Sequence, residues 1–328
     1  MQGSPVTSLK TPVLLLAFNR PDITARVFEA IRRARPPRLY VAIDGPRAAR
    51  PGEASLCAEV RRIVSAVDWP CELHTLFRDE NLGCKRSVSS AIDWFFSEED
   101  EGIILEDDCL PSASFFRFCE VLLERFRDDP RVFSIQGNFF GSPRTPETSY
   151  LFSKMFYMWG WASWADRWRS VNVHDIDVAQ IRHAIAEDRW PGSGYLIRKY
   201  WLNIVERQAA GKIDSWGYPV MFHCFKNKLL NVTPTTNLVL NIGVGPSATR
   251  TPLLECGPHH KEALDIAFPL VEGARYEGAD EMLPYEHRWR IQLTPRRLYG
   301  EVLQAQFPRL YGALRTAFHA AKQLSRAA

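Results

Sequence analysis

The sequence predicts an α/β protein built on one open, mostly parallel sheet flanked by helices. Short apolar runs typical of buried strands alternate with amphipathic helical segments along the first 140 residues. Turn-forming residues separate these segments, and several of the apolar runs lead directly into polar residues. Alternating strands and helices form parallel sheets through right-handed crossovers, so this order favours such an architecture.

Five strands are expected in this part of the chain, at residues 13–18, 39–43, 73–77, 103–105 and 132–136. Each is a short apolar run bounded by polar or turn-forming residues. The first leads into Asn19-Arg20-Pro21-Asp22, a typical helix start, and the second into Asp44-Gly45-Pro46, a strong turn signal. Helices are expected after residue 21 and at residues 54–67, 85–96 and 115–126.

The composition changes beyond Gly141. Residues 152–168 are rich in tryptophan, tyrosine and phenylalanine, which either pack beneath the sheet or offer a surface for stacking on sugar rings. A helix is expected at 201–208, a turn-rich segment at 211–219 and an extended segment at 237–242. The chain thus divides into residues 1–140, residues 141–256 and a C-terminal extension at 257–328.

The extension ends in a basic amphipathic segment at residues 296–326, which Pro308 should kink or split. We expect this helical segment either to dock on the body of the protein, to attach peripherally to an anionic membrane, or to mediate self-association. No apolar run approaches the ~18 residues that a membrane-spanning helix needs.

Charge and cysteine usage exclude several classes of protein. The net charge of +3 is too small to indicate nucleic-acid binding. The seven cysteines are scattered and form no C-x-x-C pair, so they fit neither a disulfide framework nor a zinc site. This usage suits a reducing cytoplasm.

Three adjacent carboxylates, Glu106-Asp107-Asp108, follow the fourth predicted strand. Such neighbours repel one another unless a cation lies among them, and Mg²⁺ or Mn²⁺ prefers oxygen ligands, often completed by phosphate oxygens. A solvated acidic loop is the alternative. Polar residues also follow the first two strands, and ligands of parallel sheets bind beyond the carboxyl ends of the strands, so these clusters should meet in one crevice.

Three segments carry a likeness to a known family. They are residues 13–20 (VLLLAFNR), 40–45 (YVAIDG) and 104–108 (ILEDD), the last followed by Pro111 and Phe115-Phe116. In this order they resemble nucleotide-sugar glycosyltransferases of the GT-A fold. The resemblance is strongest to the N-acetylglucosaminyltransferase I type and to bacterial relatives that act on surface polysaccharides. It is ordered along residues 11–140 and looser to about residue 250.

The resemblance implies a Rossmann-like sheet in a single large domain, with roles for particular residues. Arg20 and Asp44 match residues that hold the uridine end of the donor. Glu106 and Asp107 match residues that contact its ribose and sugar. Asp108 matches the direct ligand of Mn²⁺ or Mg²⁺.

Asp214, in Asp214-Ser215-Trp216, stands where the family's catalytic base is expected. Lys85 and Arg86 stand near the position of a histidine that relatives carry beside the nucleotide, and either side chain could contact a diphosphate instead. By the same resemblance, residues 1–140 form the donor-binding half and residues 141–256 the acceptor and catalytic half.

These matches predict a metal-dependent, inverting glycosyltransferase of bacterial surface glycan synthesis. The donor would be a UDP-sugar, with UDP-GlcNAc as the first candidate, and the acceptor a hydroxyl of a glycan or lipid-linked glycan. One alternative is a nucleotidyltransferase, although Asn19-Arg20-Pro21 replaces the glycine-rich basic loop expected there. Another is a non-catalytic carbohydrate-binding protein that would use residues 159–168 without nucleotide or metal.

Overall fold

A computed structural model of the chain describes residues 9–141, 147–187, 194–243, 262–272 and 279–289, together with 299–300, 303, 307 and 309–311. The strands are β1 (Val13–Ala17), β2 (Arg38–Ile43), β3 (Glu72–Phe77), β4 (Glu101–Glu106), β5 (Cys109–Pro111), β6 (Val132–Gln136), β7 (Tyr150–Ser153), β8 (Trp161–Trp164), β9 (Leu230–Pro234) and β10 (Val239–Asn241). The helices are α1 (Pro21–Ala34), α2 (Glu53–Val64), α3 (Gly83–Glu98), α4 (Ala113–Phe126), α5 (Ala165–Arg169), α6 (Val178–Ala186), α7 (Tyr195–Ala209), α8 (Gly217–Lys226) and α9 (Ala279–Trp289).

Eight of the strands form one sheet, in the order β3-β2-β1-β4-β8-β6-β9-β7. The pairs β3–β2, β2–β1, β1–β4 and β6–β9 are parallel, whereas β8 and β7 run antiparallel to their neighbours. The remaining strands, β5 and β10, form a separate antiparallel pair. The prediction of a mostly parallel α/β sheet flanked by helices is therefore confirmed.

Three neighbouring strands end level with one another. In the register of the sheet, Leu16 of β1 lies opposite Ala42 of β2 on one side and Glu106 of β4 on the other. The residues that follow these strands therefore leave the sheet at the same edge. This alignment brings together side chains that are up to 89 positions apart in the chain, as for Phe18 and Asp107.

The local sequence explains where helix α1 begins, which face it buries and where it ends. Pro21 occupies the start of the helix, where its missing N–H costs no hydrogen bond, and Asp22 lies in the positively polarised first turn. Val27 and Ile31, four residues apart, are buried on one face. Arg35 ends the helix in the left-handed conformation, with φ of 51°.

The aromatic segment at 152–168 contains two strands that were not expected from its sequence, β7 and β8. Strand β8 lies between β4 and β6 and is buried on both faces, so its residues show no polar alternation. Trp161, Trp164 and Trp168 are all buried, which confirms the core-packing interpretation for these three rings. Trp161 stacks on Trp216, with 6.0 Å between ring centroids.

The segment at 211–219 was expected to be rich in turns, and the structure shows that its last three residues begin helix α8 at Gly217. Pro219 is tolerated there because the first helical turn has N–H groups without helical partners. Strand β4 ends at Glu106, and the chain turns at Asp107-Asp108 before the short strand β5, which ends at Pro111.

Most of the predicted C-terminal segment at 296–326 lies outside the described residues, as does much of the extension at 257–328. In the part of the extension that is described, α9 packs against β7 and buries Met282, Leu283 and Glu286. Within the described residues, no helix combines the length and apolar character required to span a membrane.

Candidate functional site

A cavity of about 580 Å³ opens at the edge of the sheet where β1, β2 and β4 end. Its wall includes Arg20, Asp44, Glu106, Asp107 and Asp108. The opposite side comes from the start of α3, the loop between α7 and α8, and the segment before β8. With Asp214 from the loop between α7 and α8, the structure therefore collects six of the predicted site residues around one space, at the edge where parallel sheets bind ligands.

Arg20 joins the two aspartates that follow β4. Its Nη2 donates to Asp107 Oδ1, and its Nη1 donates to Asp108 Oδ2 at 3.1 Å. The second carboxylate oxygen of Asp107 accepts from the Phe18 amide at 3.3 Å. The positive charge of Arg20 thus offsets the repulsion between the carboxylates of Asp107 and Asp108, and it holds both side chains at the cavity wall.

Asp107 is only 3% exposed. Burial raises the pKa of Asp107 to about 6, although the charge of Arg20 opposes this shift. Burial acts to lower the pKa of Arg20, but the charges of Asp107 and Asp108 outweigh it and leave that pKa raised. The carboxylate of Asp107 is therefore occupied by its hydrogen bonds with Arg20 and with the backbone amide of Phe18. Asp108 is the more exposed of the two aspartates.

The residues at this edge fit a divalent cation that is completed by its ligand. Among the described residues, no group of three or more histidine, cysteine, aspartate or glutamate side chains could form a closed metal cage. Mg²⁺ commonly uses only one or two carboxylates together with phosphate oxygens and water. Asp108 can supply such a carboxylate, and Glu106 lies in the same wall at the end of β4.

Gly243 keeps the Asp108 carboxylate accessible. A Cβ atom at Gly243 would lie 2.8 Å from the Cβ of Asp108 and 2.7 Å from Nη1 of Arg20, and still closer to Asp108 Oδ2. Any side chain at this position would press on the Arg20–Asp108 pair. The close backbone approach therefore requires glycine here.

Asp44 organises the loop that leads into α3. Its carboxylate accepts from the side-chain amide of Asn81 and from the backbone amides of Leu82 and Gly45, each at 3.0 Å. Burial raises the pKa of Asp44, and the bonds from backbone amides partly oppose that shift. Asp44 thus forms part of the cavity wall and also fixes the shape of the adjoining loop.

Asp214 reaches the cavity from the loop between α7 and α8. Its Oδ1 accepts from the backbone amide of Lys85 at 3.2 Å, across a separation of 129 residues. Lys85 lies in the first turn of α3, where unpaired amides and the helix dipole favour a negative charge. Asp214 therefore joins the second half of the chain to the first and carries its carboxylate into the cavity wall.

Lys85 and Arg86, the side chains predicted to contact the diphosphate, are not among the described residues that line the cavity. Among the described residues that line the cavity, α3 contributes Gly83, Cys84, Ser87 and Val88 rather than Lys85 and Arg86. Arg86 is exposed and Lys85 is half-buried. Their assignment to a diphosphate stays a prediction, without support from the shape of the wall.

Other cavity residues were not identified from the sequence as site residues. An apolar part of the wall contains Met155, Met158, Trp159, Trp216, Tyr218 and Met221. The aromatic richness of residues 152–168 was a signal for Trp159, but nothing local separated it from the buried tryptophans nearby. Phe18 and Arg47 were also missed, although each closely follows one of the strands that form the binding edge.

Comparison with known proteins does not identify a family. No family model and no curated protein matches the sequence. Two of the solved structures that resemble the chain show a weak likeness, each with a TM-score of 0.36. One is the mannosyltransferase PcManGT from Pyrobaculum calidifontis in complex with GDP-Man and Mn²⁺, at 13% identity over 67% of this chain and 70% of that one. The other is a UDP-glucose pyrophosphorylase complexed with UDP-glucose, at 8% identity over 69% of this chain and 90% of that one. Both are nucleotide-sugar enzymes, but agreement of this size carries no argument about the activity of this protein.

Proposed function

We propose that the protein is a glycosyltransferase that moves a sugar from a UDP-sugar to an acceptor hydroxyl with the help of Mg²⁺ or Mn²⁺. The observation that carries this proposal is the convergence of Arg20, Asp44 and Asp108, which follow three adjacent strands, on one cavity. Asp214 enters the same wall from the second half of the chain. The cavity thus carries a guanidinium, carboxylates that can bind a metal ion, and a candidate general base. This combination suits the transfer of a sugar from a nucleoside diphosphate.

The donor diphosphate would lie beside Asp108 and Arg20. Breaking the bond between the sugar and the diphosphate builds negative charge on the leaving group. A divalent ion, when bound by Asp108, would supply positive charge to the phosphate oxygens. The guanidinium of Arg20 lies at the same place and would add positive charge beside the phosphates while it stays paired with Asp107.

Asp214 is our candidate for the base. The acceptor oxygen forms a bond to the anomeric carbon while the bond from that carbon to the diphosphate oxygen breaks. The hydroxyl proton passes to the Asp214 carboxylate, a contribution of about 10²–10⁴-fold. A single displacement of this kind inverts the anomeric centre. The hydrogen bond from the Lys85 amide at the start of α3 orients the Asp214 carboxylate.

The finer assignment rests on the resemblance of residues 13–20, 40–45 and 104–108 to enzymes of the N-acetylglucosaminyltransferase I type. On that basis we propose a GT-A enzyme with UDP-GlcNAc as the first donor to test. Residues 1–140 would bind the donor, and residues 141–256 would bind the acceptor of a bacterial surface glycan. The apolar wall around Trp159 and Tyr218 would then be available to a sugar ring or the acceptor.

Two variants test the proposal. Asp108→Ala should abolish metal-dependent UDP binding by calorimetry and with it the turnover of a panel of UDP-sugars. Asp214→Asn should retain UDP binding and lose turnover, because the amide cannot accept the proton. Asp68→Ala is a suitable control, since it removes an exposed carboxylate outside the cavity wall. Wild-type activity in both Asp108→Ala and Asp214→Asn would contradict the proposal.

Two other outcomes would identify the alternatives. Release of diphosphate from UTP and a sugar phosphate would indicate a nucleotidyltransferase. Binding of a glycan near Trp159, without any metal-dependent binding of UDP or GDP, would indicate a carbohydrate-binding protein. Wild-type protein incubated with each set of ligands separates these functions.

A further inference from the structure

Arg47 is a cavity residue whose position is fixed by a buried carboxylate. It lies in the loop after β2, and its Nε donates to both oxygens of Glu53 at 3.0 and 3.1 Å. Its Nη2 also donates to Glu53 Oε1, and its backbone amide donates to Oε2 at 2.6 Å. Such a forked pair holds the plane of the guanidinium in one orientation.

Glu53 also joins this loop to the one that follows β1. It is the first residue of α2, is only 4% exposed, and accepts from the side-chain amide of Asn19 at 2.8 Å. The hydrogen bonds from Arg47 contribute most to a lowered pKa of about 2 for Glu53, so the carboxylate is ionised at neutral pH. Glu53 thus both balances the charge of Arg47 and holds its guanidinium in place.

The guanidinium lies near an aromatic ring that also faces the cavity. Its Cζ lies 5.4 Å from the centroid of the Phe18 ring, over the ring face. Phe18 is held in turn by its amide, which donates to Asp107. Arg47, Phe18 and Asn19 all line the cavity, so the end of β2 and β1 presents a guanidinium held in a fixed orientation.

The position of this surface suits one end of an extended ligand. Strand β2 is separated from β4 by β1 alone, which places their ends about 10 Å apart. A nucleotide whose diphosphate lies at Asp108 would therefore carry its base toward Arg47. A planar guanidinium stacks well on a planar ring, and the forked pair with Glu53 holds the plane of Arg47 in place.

We propose that Arg47 stacks on the nucleobase of the donor, with Glu53 and Asn19 acting as positioning residues. This inference rests on the proposed function, because it requires a nucleoside diphosphate in the cavity. The recognition of a flat ring is thereby assigned to the loop after β2, and the diphosphate would lie beside Asp108.

Calorimetry with Mg²⁺ and three probes, UDP, UMP and inorganic pyrophosphate, tests the assignment. GDP and GMP replace the uridine nucleotides if they bind the wild-type protein more tightly. Arg47→Ala should weaken nucleotide binding about tenfold or more, the range expected for loss of one stacking partner. Arg47→Lys should lose nearly as much, because it keeps the charge but not the plane. Pyrophosphate binding should be unchanged in both variants.

Two further variants control for charge and for folding. Arg50→Ala removes the same charge from an exposed position in the same loop and should bind every probe as the wild type does. Glu53→Gln keeps the shape of the side chain but weakens its hold on Arg47, and should weaken UDP and UMP while sparing pyrophosphate. Thermal melting of each variant shows whether it is folded.

Several results would overturn the inference. They are wild-type nucleotide binding in Arg47→Ala, near wild-type binding in Arg47→Lys, or an equal loss for pyrophosphate and UDP. Failure of the wild-type protein to bind either UDP or GDP with metal contradicts the proposed function itself. Tight nucleotide binding that does not depend on Arg47 contradicts the stacking role alone, so the two failures are distinguishable.

Discussion

Substituting Gly243 with alanine should impair function far more than folding. The new methyl group would lie 2.7 Å from Nη1 of Arg20 and 2.8 Å from Cβ of Asp108, against ordinary contacts of 3.4–4 Å. The pair must therefore shift by about 1 Å, a misplacement that can cost on the order of 10²-fold in rate. That factor corresponds to about 2.7 kcal/mol of transition-state stabilisation.

The loss of folding stability should be smaller because the atoms that must move belong to side chains at a cavity wall. We expect a decrease of about 1 kcal/mol in the free energy of unfolding, the lower end of the range for added methyl groups. The assay is metal-dependent turnover of the UDP-sugar that the panel identifies, with urea unfolding in parallel. Gly194→Ala is the matched control, since its methyl group would come no closer than 3.9 Å to Ile197. Wild-type turnover by a folded Gly243→Ala protein would refute the placement of the reaction beside Asp108 and Arg20.

Two other substitutions test the body of the fold. Glu286 is fully buried in α9 and accepts from Ser153 Oγ at 2.5 Å, and burial raises its pKa from 4.5 to about 7. A raised carboxyl pKa contributes stability that is complete below pH 4.5 and is lost as the pH rises through 7. Glu286→Gln should therefore match the wild type near pH 4 and exceed it by roughly 3 kcal/mol at pH 9 in urea unfolding. Parallel pH profiles for the two proteins would contradict this. Gly102→Ala in β4 would place a methyl group 2.5 Å or less from the buried ring of Phe95, and should lower the free energy of unfolding by about 1–3 kcal/mol. An unchanged urea midpoint would contradict this prediction, because it would mean that α3 shifts to make room for the methyl group without loss of stability.

Local sequence was enough to predict most of the first half of the fold. Strands β1, β2, β3, β4 and β6 and the helices between them are visible as apolar runs and amphipathic periods, because each depends on neighbours a few residues away. The meeting of Arg20, Asp44 and Asp108 was also predictable. It follows from the parallel crossovers, which bring the carboxyl ends of successive strands to one edge.

Sequence did not indicate the insertion of β8 between β4 and β6. A strand that is buried on both faces has no polar alternation, and its antiparallel pairing depends on partners far away in the chain. The same reason explains why the cavity tryptophan, Trp159, could not be separated from the core tryptophans around it. Their difference lies in which neighbours cover each ring, and that is a property of the packed molecule.

The sequence by itself determined the type of sheet, the edge at which a ligand would bind and the acids and bases available there. The tertiary structure alone decided how those groups are paired: Asp107 with Arg20, Glu53 with Arg47, and Asp214 with the start of α3. The physical reason is one of range. Periodicity and turn chemistry act over a few residues, whereas burial and ion pairing depend on distances that exist only once distant segments have packed together.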